Sequence, residues 1–121
     1  MSFKDLGVNA ALTKILHSSG IEKPFPIQKA TLPDAIAGKD ILGRGQTGSG
    51  KTLAFGLALM TRLAGRTAAS MRPLALVLSP TRELAMQISD VIAPLSRSVN
   101  LNSQVVAGGL SYSKQIQALK R

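Results

Sequence analysis

Gly45-Gln46-Thr47-Gly48-Ser49-Gly50-Lys51-Thr52 is a glycine, four residues, then Gly-Lys-Thr, a spacing by which a backbone wraps a polyphosphate. A triphosphate carries several negative charges on closely spaced oxygens. Successive N–H groups surround them only where side chains leave room, and Gly48 and Gly50 leave it. Lys51 sets a compact cation near the β and γ phosphates. The Thr52 hydroxyl suits Mg²⁺, which favours octahedral oxygen ligation and keeps several waters. The plain alternative is a glycine-rich turn that only joins two elements; the Gly-Lys-Thr ending and the flanking elements speak against it.

Such a loop needs a strand leading in and a helix leading out. Asp40-Ile41-Leu42-Gly43-Arg44 is a short strand candidate before it, and Leu53 to Met60 is a strongly apolar helix after it. Upstream, Asn9 can cap a helix whose Leu12, Ile15 and Leu16 share a face, with Gly20 placed to stop it. His17, the single histidine, fits a helix-dipole role in that last turn and has no second histidine with which to hold a metal. Pro24 and Pro26 impose an extended approach, a second helix can start at Pro26, and Pro33 is expected to interrupt or restart it. Leu74-Ala75-Leu76-Val77-Leu78 reads as a strand buried on both faces. Leu84, Ile88, Val91 and Leu95 repeat at helical spacing. Residues 101–107 form another strand candidate that ends at Gly108-Gly109, and Ser111 can cap a final helix. Strands alternating with helices predict a doubly wound α/β arrangement with a parallel sheet.

The sequence has 121 residues, enough for one domain, with 45% hydrophobic and 17% charged residues. No apolar run approaches the roughly twenty residues of a membrane span. No secretory leader and no cysteine are present, which favours a cytoplasmic setting. Fifteen Lys+Arg against six Asp+Glu give a formal charge of +9, a balance that draws phosphate-rich partners such as nucleic acid and makes their binding salt-sensitive. An excess that describes only part of a larger protein is the alternative.

Four ordered motifs narrow the field. Phe3, seventeen positions before Gly20, followed by Gly20-Ile21-Glu22-Lys23-Pro24-Phe25-Pro26-Ile27-Gln28, resembles the Q motif of DEAD-box RNA helicases. The phosphate loop resembles that family's motif I, with Gly45 where an alanine is usual. Pro80-Thr81-Arg82-Glu83-Leu84-Ala85 is similar to motif Ia, and Gly108-Gly109 with Gln115 and Leu119 is similar to the GG region. The resemblance implies a RecA-like ATP-binding domain, with 1–29 as the Q-motif region and 30–121 as the first part of that domain. It implies ATP and Mg²⁺ as ligands, with Phe3 and the Lys23 stem packed near the adenine. A glutamine amide offers a donor and an acceptor together, so Gln28 is suited to pair with adenine and reject guanine. Outside the motif, Phe3 and Phe25 would read as ordinary packing.

By the same resemblance, Thr81 and Arg82 would contact an RNA backbone, and Gly108 and Gly109 would let RNA approach closely. Read alone, Ser79 or Thr81 caps a helix, Arg82 is solvated, and the two glycines make a turn. Aromatic residues are 3% of the chain, which favours phosphate and sugar contacts with little sequence preference over base stacking. The Asp-Glu-Ala-Asp signature, the Ser-Ala-Thr motif and the family's second RecA-like domain do not occur in these 121 residues. The sheet is therefore expected to be incomplete, and nucleotide binding is expected without turnover. Two other readings stay open: a kinase or transferase on the same phosphate loop, and a non-catalytic basic RNA-binding module.

Overall fold

The computed structural model describes residues 1–46, 48, 50–67, 69, 72–108 and 112–119. Thr47 and Ser49 of the phosphate loop, Gly109 and the expected cap Ser111 lie outside these residues.

Ser2 and Asp5 open the chain by capping each other. The Ser2 N–H donates to Asp5 Oδ2 at 2.8 Å and the Asp5 N–H to Ser2 Oγ at 3.3 Å, which closes a 3-10 turn at Lys4–Leu6. Helix α1, Ala10–Ser18, starts where expected, because Asn9 Oδ1 accepts the Ala11 N–H at 2.8 Å. Leu12 and Leu16 are its buried residues, and Gly20 follows it at φ +80°. Helix α2 spans Pro26–Ile36 and runs unbroken through Pro33, contrary to the expected interruption. Proline removes one helical hydrogen bond, here the one to the Lys29 carbonyl, and Lys29 is exposed, so water can serve that group.

Helix α3, Lys51–Leu63, buries Ala54, Gly56, Leu57, Ala58, Met60 and Leu63. Helix α4, Arg82–Ser98, packs against it through Ile92 and Leu95, with Ile88 and Val91 partly buried. Gly56 sets their closeness: a Cβ there would stand 2.8 Å from Ile92 Cδ1. After α4 the chain turns through Asn100 at φ +61°, and the Leu101 N–H returns to the Ser96 carbonyl at 2.8 Å. Helix α5 is Tyr112–Leu119. The core gathers Phe3, Leu6 and Val8 with Leu12, Leu16, Leu32, Leu57, Met60, Ile92 and Leu95. It therefore lies among the 3-10 turn and α1 to α4.

The parallel sheet predicted from residues 40–44, 74–78 and 101–107 is not shown: among the described residues there is no strand. No backbone hydrogen bond joins the three segments to one another. Leu42, Leu76 and Leu78 stand 101%, 79% and 83% exposed, the opposite of a strand buried on both faces. An apolar run shows what a segment would bury once paired, whereas a ladder also needs a neighbour in register. Phe55 and Leu59 of α3 and Ile88 of α4 line a shallow groove together with Leu76, Val77 and Leu78. No helix among the described residues is long and apolar enough to cross a membrane.

Candidate functional site

Phosphate-loop and Q-motif residues meet at the N-terminus of α3. Gly50 caps the helix at φ +84° without a side chain, so the first-turn donors of Lys51, Thr52 and Leu53 have no side-chain cap, while the Ala54 N–H already bonds the Gly50 carbonyl at 3.0 Å. Gly48 has φ +81° and nothing within 4 Å of a would-be Cβ, so its backbone can be approached from outside. Gly45 is half-buried and Gln46 exposed. Lys51 is exposed and has no ion pair among the described residues; Thr52 is half-buried. The placement of Gly50, Lys51 and Thr52 fits a polyphosphate: uncapped helix donors, a free cation and a hydroxyl lie in sequence at one helix end. Among the described residues no group of three His, Cys, Asp or Glu side chains could cage a metal.

Gln28 is brought to this helix end from twenty-two residues upstream. Its Nε2 donates to the Gly50 carbonyl at 3.2 Å, and its Oε1 accepts the Phe25 N–H at 2.8 Å. That second bond is half of a capping box at the start of α2, a signal present in the sequence as a glutamine three residues after the N-cap. Both ends of the amide are thus engaged by protein, and Gln28 is 2% exposed. One N–H and one carbonyl lone pair of its inventory remain for a base. A Cβ at Gly50 would collide with Gln28 Nε2 and stand 2.9 Å from Phe25 Cδ2, so glycine is what lets the two elements touch.

Phe3 is buried. It is 2% exposed, within the core beside Leu6, Val8 and Leu12. Lys23 is exposed, Pro24 behind it is buried, and Phe25 is 51% exposed.

Farther along, Thr81 caps α4: its Oγ1 accepts the Leu84 N–H at 3.1 Å. Arg82 is exposed and lies 4.0 Å from Glu83, a surface pair of little energetic weight. Gly108 has open space around it. Sequence reasoning assigned no action to Gln115, yet this side chain is buried and grips the backbone before the glycines. Its Oε1 accepts the Ala107 N–H at 3.0 Å and its Nε2 reaches the Ala107 carbonyl at 3.5 Å. Its place on the apolar face of α5 next to a glycine turn was the available clue.

The profile of the DEAD/DEAH box helicase family matches residues 25–121. An ATP-dependent RNA helicase, CshA of Limosilactobacillus reuteri, is 39% identical over 121 residues, which is 100% of this chain and 24% of that protein. The structure of the RNA helicase Prp28 from Chaetomium thermophilum bound to ADP superposes with a TM-score of 0.87 at 35% identity, covering 95% of this chain and 28% of that one. A DEAD box protein from Methanococcus jannaschii superposes at 0.78 with 31% identity, covering 99% of this chain and 32% of that one. The chain thus spans about a quarter to a third of the length of these relatives. The fold likeness is to RecA-like helicase domains.

Proposed function

The chain belongs to the DEAD/DEAH box helicase family, and from that premise we propose that it is the nucleotide-cradling part of an ATP-dependent RNA helicase that opens RNA duplexes locally. The observation that carries this is the 3.2 Å hydrogen bond from Gln28 to Gly50, which places the candidate base reader against the end of the phosphate loop. In this reading Gly45, Gln46, Gly48 and Gly50, with Thr47 and Ser49, surround the phosphates. Lys51 neutralises the β and γ oxygens and Thr52 supplies one oxygen to Mg²⁺. The metal contributes charge neutralisation at the phosphates, and its remaining ligands would be phosphate oxygens and water, as its coordination habits favour. Gln28 gives preference for adenine through its unused N–H and lone pair.

RNA enters the proposal through the α4 N-terminus and the glycine turn. Thr81 spends its hydroxyl oxygen on capping the Leu84 N–H, and the exposed Arg82 follows it in the first turn of the helix. Gly108 leaves room for a sugar-phosphate strand, with Gly109 next to it, and Gln115 holds the preceding backbone. Contacts of this kind recognise phosphate and sugar, so little sequence preference is expected. The 121 residues contain no paired carboxylates to orient metal and water, so we propose nucleotide binding without turnover for this chain and place hydrolysis with the rest of a full-length helicase. A cytoplasmic setting belongs to the same proposal.

Calorimetry with Mg-ATP and Mg-GTP tests it. The chain should prefer ATP, Lys51→Ala should lose both nucleotides, and Gln28→Ala should narrow the gap between them. Unchanged ATP affinity in Lys51→Ala would remove the phosphate-loop assignment; equal losses of both nucleotides in Gln28→Ala would make that residue structural. RNA-stimulated ATPase activity of the full-length gene product would separate a helicase from a kinase or a passive RNA binder.

A further inference from the structure

We propose that the cleft between the N-terminal 3-10 turn and α1 is a second contact for the RNA backbone, at the end of α3 away from the phosphate loop. This adds a surface to the RNA reading above and uses none of its residues. The cleft has a volume of about 510 Å³ and is lined by Lys4, Val8, Ala10, Thr13, Lys14 and His17. Ala10, Thr13, Lys14 and His17 stand at positions i, i+3, i+4 and i+7 of α1 and so form one stripe, while Leu12 and Leu16 are buried in the core. Lys4 closes the other side from the 3-10 turn. The Asn9 N–H donates to Thr61 Oγ1 at 3.2 Å, which fixes the start of α1 against the last turns of α3. Thr61 lies about 15 Å along the helix axis from Lys51, so the cleft is separate from the nucleotide site.

The lining carries two ammonium groups and an imidazole but no acid. Lys4 and Lys14 are exposed, and neither has an ion pair among the described residues. The Asp5 carboxyl next to Lys4 is held chiefly by Ser2, with Lys4 the smallest contributor. Glu22, outside the lining, lies 3.8 Å from His17 Nδ1 in a solvated pair of little weight. Thr13 donates its O–H to the Asn9 carbonyl at 3.1 Å, so the donors left for a ligand are Lys4, Lys14 and His17. The floor is Val8, 5% exposed, and Ala10, too small an apolar surface to seat the aromatic anchors on which protein partners depend. What remains is point charge, which meets phosphate oxygens without regard to the base. The chain's formal charge of +9 adds long-range attraction for the same polyanion.

The test is the binding of a single-stranded oligouridylate to the 121-residue chain over a salt series. Each phosphate neutralised on a single strand contributes about 0.7 to the slope of log affinity against log salt. Lys4→Ala combined with Lys14→Ala should therefore lower that slope by about 1.4 and leave the urea midpoint and Mg-ATP affinity unchanged; Lys4→Arg with Lys14→Arg should keep the slope. An unchanged slope in the alanine pair overturns the proposal. Lys29→Ala with Arg66→Ala removes the same charge from exposed positions outside the cleft, and an equal loss there would assign the effect to whole-chain charge and overturn it too. Glu22→Gln, which removes the acid beside His17, should tighten RNA binding; weaker binding contradicts a phosphate at that side chain. In the unaltered chain, ¹⁵N amide shifts on adding the oligouridylate should include residues 10–17, and their absence contradicts the contact however the variants fold. Polyglutamate that displaces the oligouridylate at equal charge overturns the assignment to RNA. Arg82→Ala separates the two surfaces: RNA binding lost there and kept in the lysine pair leaves the α4 reading standing without this one, and the converse supports this one alone. A parent chain with no affinity for RNA removes both.

Discussion

The α2–α3 junction and the extended stretch at 74–78 are both apolar in sequence, yet one is closed and the other open. At the junction Leu32 and Leu57 have no exposed surface, and Gln28 ties the two helices through Gly50. In the stretch Leu76 and Leu78 stand 79% and 83% in water. A helix meets its backbone hydrogen bonds from within itself and needs only a neighbour for one face. A strand must find both its hydrogen bonds and its cover elsewhere. The difference predicts that stability resides in the helical core, while the extended segments contribute little until they are paired.

The largest effect should come from the core. Leu57→Ala is expected to destabilise the chain by about 2–5 kcal/mol, read as a lower urea midpoint. A loss below about 1 kcal/mol would mean that the core is not the stabilising unit. Gly50→Ala comes next. It forces a side chain into a left-handed conformation and against Gln28 and Phe25, so a cost of about 1–3 kcal/mol is expected, together with weakened ATP binding. Normal stability and affinity would show that the junction is looser than described.

Leu76→Ser combined with Leu78→Ser should change stability by less than about 0.5 kcal/mol, as surface substitutions do, while improving solubility by removing apolar surface next to an unpaired edge. A loss of several kcal/mol would show that this stretch is paired in solution and would erase the comparison. Asp5 provides the finest probe. The Ser2 N–H, then the Ser2 hydroxyl, hold its carboxyl below the usual aspartate range, with the N-terminal ammonium and Lys4 adding to this and slight desolvation opposing it. A depressed folded-state value contributes stability that is present above the unfolded pKa and lost as pH falls through the folded one. An NMR titration of the Asp5 carboxyl should therefore show a midpoint below that of aspartate in an unstructured peptide, and a midpoint at the peptide value would place Asp5 outside the turn.

Much of this was legible in the sequence because it is local. Asn9 as a cap, Gly20 as a stop and the apolar spacing of α3 depend on residues within one or two turns, and each stands where the spacing placed it. The meeting of Gln28 with the phosphate loop was legible by family resemblance, since nothing within one turn of Gln28 encodes a partner twenty-two residues away. Three features were not legible. Residues 74–78 have the composition of a buried strand, but composition does not report whether a pairing neighbour is in register. Pro33 reads as a break, and the helix continues because the cost falls on a residue at the surface. Phe3 lies buried in the core, which its position in the motif does not report and only packing reveals.

The most direct test of the central claim, that Gln28 and the α3 N-terminus form one nucleotide site, is to follow backbone amides and the Gln28 side-chain NH₂ by ¹⁵N NMR as Mg-ATP is added. The account predicts shifts concentrated at Gly48, Gly50, Lys51, Thr52 and the Gln28 side chain, all lost in Lys51→Ala. Shifts at the α3 N-terminus without any at Gln28, or none at either while the chain remains folded, would contradict it.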